Sequence, residues 1–127
     1  MRYLGIDYGT KWIGTALSDD EGRMAFPHTI FENDTHLITS VKKICEEENI
    51  GAVVIGESRD YKQKENPIMK GIKIFADTLQ KELGLPVYYE PEFLTSQEAR
   101  RIQGEGGDTH SSAAALILQS YIDKIKH

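Results

Sequence analysis

The chain has 127 residues, 39% of them hydrophobic and 28% charged, with a formal net charge of −5. That length suits one domain with a substantial core and is too short for two. The acidic total excludes a protein that is basic over its whole surface, although local patches remain open, and the single cysteine, Cys45, excludes an internal disulfide.

No charged-then-apolar leader opens the chain and no apolar run reaches membrane-spanning length, so a cytoplasmic protein with no membrane partner is expected. In chain order, "RYLGID" and "WIGTALSD" are strand-forming runs joined by the hairpin signal "YGTK" with Gly9 at its turn. A third strand is expected over "MAFPHTIF", where Pro27 suits an edge position. Leu37, Ile38, Val41, Ile44 and Cys45 recur at helical spacing up to Asn49, which makes Cys45 a packed core thiol. "GAVVIG" reads as a strand buried on both faces of a parallel sheet. Ile68, Ile72, Phe75 and Leu79 mark a second helix ended by "LGLP". "PVYYE" reads as a fifth strand and "THSSAAALILQSYIDKIK" as a last helix. The spacing therefore predicts one α/β domain over residues 1–127, a mixed five-stranded sheet in the order 3-2-1-4-5 covered by helices.

In such a sheet, ligands collect where parallel strands end and helices begin. Acidic residues fall there: Asp7 at the end of the first strand, Glu57 after "AVVIG", Glu90 and Glu92 after "PVYY", with Asp108 and His110 at the start of the last helix. Clustered carboxylates stay ionised when a cation lies among them, and Mg²⁺ or Mn²⁺ suits oxygen ligands. Each residue also has a plainer reading. Asp7 can cap its own turn, Glu57 reads as a solvated loop residue, Pro91 can turn Glu90 and Glu92 apart, Asp108 or Thr109 can cap the helix, and His110 can face solvent.

"GIDYGTKWIGTALSD" resembles the opening motif of the YqgF (RuvX) nucleases, and the resemblance runs on through "AVVIG", "FADTLQKELGLPVYYEPEFLTSQEA" and "HSSAAALILQSYI". It implies an RNase H-like fold related to the RuvC Holliday junction resolvases, and a metal-dependent nuclease that matures 16S ribosomal RNA precursors. It also implies that Asp7 and Glu92 are catalytic carboxylates on Mg²⁺ or Mn²⁺, and that Thr10 and Lys11 lie beside the metal and the nucleic-acid backbone. His110 stands at the family's third carboxylate, as metal ligand or proton carrier, with Asp108 as its substitute. Arg59, Lys62, Lys64, Arg100 and Arg101 are the candidates for a phosphate track.

The chain departs from that family in three places. Pro91 and Phe93 flank Glu92 where the family has an aspartate and an arginine, His110 replaces a carboxylate, and "QGEGGDT" is short where the family has a longer basic loop. A nuclease acting on ribosomal RNA precursor rather than on a DNA junction is the first expectation. A member that binds RNA or a protein partner without cutting is the second. Either a monomer or a homodimer is compatible with both.

Overall fold

A computed structural model of the protein describes residues 1–57, 67–91 and 109–125, with the backbone alone at 57, 67–69, 109 and 110. Strands β1 (Arg2–Tyr8) and β2 (Trp12–Ser18) form the expected antiparallel hairpin, with Asp7 opposite Gly14 and Tyr8 opposite Ile13. Its turn needs glycine. The Gly9 N–H donates to the Trp12 carbonyl at 3.0 Å, and a Cβ on Gly9 would stand 2.6 Å from that oxygen.

Strand β3 (Ala25–Glu32) pairs antiparallel with β2 at the sheet's edge, where Pro27 was expected. The ladder slips between Gly14 and Ala16, leaving one more residue on β3 than on β2. The fully buried Thr15 fills the gap, its hydroxyl donating to the Thr29 carbonyl at 2.7 Å and accepting from the Thr29 N–H at 3.1 Å. Strands β4 (Ile50–Glu57) and β5 (Val87–Pro91) run parallel to β1, which completes the order β3-β2-β1-β4-β5. β1 runs through Tyr8, one residue beyond the end expected at Asp7, and β4 runs through Glu57, which lies within its strand rather than after it. Ladder pairing with a neighbour carries each strand past the end of its apolar run.

Helices α1 (Leu37–Glu47) and α2 (Pro67–Leu83) cover one face and α3 (Thr109–Ile125) the other. Asn49, at φ 52°, and Gly84, at φ 67°, take the left-handed conformation just beyond α1 and α2, which lets the chain turn back into a strand. Leu4 and Ile6 of β1, with Ile13, Val53 and Ile55, meet Leu37, Val41, Ile44, Cys45, Ile72, Phe75 and Leu79. Burial, and then the charge of Glu46, pushes the Cys45 thiol up to about 11, as befits a packed residue. On the opposite face Ala16 and Val54 meet Ala114, Ile117, Leu118 and Ile122.

This second face is built on close approach. A Cβ on Gly5 would stand 2.7 Å from Leu118 Cβ and 3.0 Å from the Ala114 carbonyl, so α3 rests directly on the β1 backbone. The rings of Tyr3 and Tyr121 meet edge-on at 5.9 Å. Ascending β1 therefore means descending α3, and the first turn of α3 is carried toward the Asp7 end of β1. Gly5→Ala should cost about 1–3 kcal/mol, as overpacked cores do, and lower the urea midpoint without changing its slope.

Candidate functional site

The parallel strands end together. Ile6 lies opposite Ile55, Ile55 opposite Tyr89, and Glu57 opposite Pro91, so Asp7 is level with Gly56 and Glu90. The ends of β1 and β5 are two strand spacings apart, roughly 10 Å. Alternation from Gly5 puts Asp7 on the α3 face, where it is 9% exposed. A carboxylate so enclosed keeps its charge only where donors or a cation meet it.

Two helices begin at this edge. A Cβ on Gly71 of α2 would lie 3.2 Å from the Tyr8 hydroxyl, and the Tyr8 and Phe75 rings are 5.3 Å apart, which seats the first half of α2 beside the end of β1. Ser111 and Ser112, in the first turn of α3, are buried. Both helix N-termini bring partial positive charge to the carboxyl edge.

Thr10 and Lys11 are exposed at the tip of the hairpin. The tip is braced from the β3–α1 connection. Asn33 Nδ2 donates to the Gly9 carbonyl and the Asn33 N–H to the Lys11 carbonyl, both at 2.9 Å. Sequence reasoning missed Asn33, because a turn-forming asparagine after a strand gives no sign of a partner 24 residues earlier.

Glu90 is set apart from the site by its partners. It is 3% exposed, and its Oε2 accepts from Ser120 Oγ at 2.9 Å and from Lys124 Nζ at 2.6 Å. It thus ties β5 to the last turns of α3. Beside it Tyr88 stacks on Tyr121 at 5.4 Å, and burial, followed by Tyr88, Tyr3 and Glu90, raises the Tyr121 hydroxyl above its usual range. His110 is placed by its backbone in the first turn of α3. Glu92, Asp108, Arg59, Lys62, Lys64, Arg100 and Arg101 lie outside the described residues. Among the described residues no three histidine, cysteine or acidic side chains converge, and no helix is long and apolar enough to cross a membrane.

A family model, RuvX, described as a Holliday junction resolvase, matches residues 1–124. A protein named "Putative pre-16S rRNA nuclease" from Nitratidesulfovibrio vulgaris is 35% identical over 97% of this chain and 94% of its own length. In shape the chain resembles RuvC of T. thermophilus, solved in complex with a Holliday junction substrate, with a TM-score of 0.69 at 19% identity over 99% of this chain and 96% of that one. The Fowlpox virus resolvase, solved with its Holliday junction DNA, is similar over the whole of both chains, with a TM-score of 0.63 at 12% identity. These likenesses establish an RNase H-like fold.

The two buried carboxylates should separate by experiment. Glu90→Ala should lower stability by about 1.5–3 kcal/mol, the range for hydrogen bonds to a charged group. It should leave unchanged any rise in melting temperature that Mn²⁺ produces.

Proposed function

Because the chain belongs to the RuvX family, we propose that it is a divalent-metal-dependent nuclease of structured RNA, with the 16S ribosomal RNA precursor as its substrate. The observation that carries this reading is Asp7, an enclosed carboxylate on β1, level with the ends of the two parallel strands and facing the helix whose first turn holds His110. RNA is favoured over a DNA junction because relatives named for 16S precursor RNA match at 30–35% identity, whereas the likeness to RuvC is one of fold.

The donor chemistry fits Mg²⁺ or Mn²⁺. Asp7 offers carboxylate oxygens, which hard cations prefer, and Glu90, already bound to Lys124 and Ser120, is left out of the set. Asp7, Glu92 and His110 would hold the ion, with Asp108 as substitute. When bound, such an ion polarises the phosphoryl group and makes hydroxide available near neutral pH. The chain's own residues do the rest. His110, in the first turn of α3, serves either as a ligand of that ion or as the carrier of a proton. Thr10 and Lys11, on a hairpin braced by Asn33, meet the phosphate backbone, and Arg59, Lys62, Arg100 and Arg101 extend that track.

A second reading, a member that binds RNA or a partner without cutting it, is favoured by His110 in place of a carboxylate and by Pro91 and Phe93 around Glu92. Metal and cleavage decide between the two. Mn²⁺ at a hundredfold excess over its dissociation constant should stabilise the fold by about 2.7 kcal/mol, and Asp7→Asn should abolish that gain in a thermal melt. His110→Ala should slow cleavage of a precursor RNA by on the order of 10²–10⁴-fold. His110→Asp should retain cleavage and shift its preference from Mn²⁺ toward Mg²⁺, the carboxylate being the harder ligand. Binding of RNA with no cleavage by any variant in either metal establishes the second reading instead.

A further inference from the structure

Trp12, the one tryptophan of the chain, opens β2 and is 38% exposed. An indole joins a broad apolar ring to a polar N–H, so one left open at the end of a strand beside a candidate site is suited to contact with a ligand. Its position follows from the register. Asp7 lies opposite Gly14, and residues directly opposite share a sheet face, as do residues two apart along a strand. Trp12 therefore stands on the same face as Asp7, one diagonal step away, a separation of about 7–8 Å. Gly14, between them on that face, carries no side chain, and the exposed Lys11 immediately precedes Trp12.

Charge points the same way. A net charge of −5 opposes a polynucleotide at long range, so a contact that is not electrostatic adds to what local lysines and arginines supply. Stacking of a nucleobase on an aromatic ring is such a contact. It requires an unpaired base, since the faces of paired bases are already covered by their neighbours in the helix.

We propose that Trp12 is a stacking platform for an unpaired base adjoining the phosphate at the Asp7 edge, so that the strand at the cleavage position is single-stranded there. The ribose-phosphate of that nucleotide spans the gap over Gly14, with Lys11 on the phosphate side. This assignment rests on the nuclease reading of the Asp7 edge and narrows its substrate class. Trp12 acts as a positioning residue and takes no part in the chemistry.

With a single tryptophan, indole fluorescence reports this position alone. The Asp7→Asn chain, which leaves RNA uncut, is titrated with a short single-stranded RNA and with a duplex of the same sequence, and binding is followed separately by anisotropy. The single strand should quench the indole and the duplex should not. In the cutting protein, Trp12→Ala should raise KM for a single-stranded site by roughly 5- to 150-fold, the range for loss of one stacked base. That loss should fall on KM more than on kcat, persist at temperatures well below the melting transition of the variant, and be largely restored by Trp12→Phe. Binding of the single strand without quenching, equal quenching by the duplex, or an unchanged KM in Trp12→Ala overturns the platform and leaves the nuclease reading standing. Selective quenching with no cleavage by the unaltered protein overturns the nuclease reading and leaves the platform standing.

Discussion

Gly5 is the point at which two layers of the molecule touch backbone to helix. With no side chain there, α3 settles onto β1 so closely that a single methyl would meet both Leu118 and the Ala114 carbonyl. Everything at the carboxyl edge depends on that distance. It sets how near the first turn of α3 comes to Asp7, and it draws Tyr121 between Tyr3 and Tyr88. It also brings Ser120 and Lys124 within reach of Glu90. A larger residue at this place would lift the helix, and the site would open before the core came apart.

Two buried carboxylates lie at the same level of one sheet face and are treated differently by their surroundings. Glu90 has a lysine ammonium and a serine hydroxyl supplied by α3, and its charge is spent within the fold. Asp7 stands where β1 ends, beside the start of two helices and under a hairpin that a distant asparagine holds still. The difference comes from which end of α3 each one faces. The last turns of that helix carry Lys124, whereas its first turn carries backbone N–H groups and His110.

Much of this architecture is legible in the residue pattern, because periodicity and turn chemistry are local. The strand-forming run "RYLGID", the glycine of "YGTK", the proline of "MAFPHTIF" and the helical spacing from Leu37 to Cys45 each depend on near neighbours, and with the crossovers that parallel strands require they lead to the sheet order. Asp7 also stands out, as a charge within an apolar run. What escapes such reading is pairing between distant segments. Glu90 looks as exposed to ligands as Glu92 until Lys124 is folded against it, Asn33 looks like any loop residue, and the hydroxyl of Thr15 has no evident use until the β2–β3 ladder slips. The face on which Trp12 stands is likewise settled only by the register that sets Gly14 opposite Asp7.

The reach of α3 bears on how the protein comes to be folded. Gln119 accepts the Ala25 N–H at 2.8 Å and donates to the Arg23 carbonyl at 3.1 Å, which holds one outer strand, while Ser120 and Lys124 hold the other through Glu90. One helix thus straps both margins of the sheet, and it follows all five strands in the chain. During synthesis the face bearing Gly5, Ala16 and Val54 stays uncovered until residues 109–125 have left the ribosome, and neither margin is secured before then. The closing of this face accordingly comes after all five strands have been made, and chains that still lack α3 leave an apolar sheet face open to their neighbours.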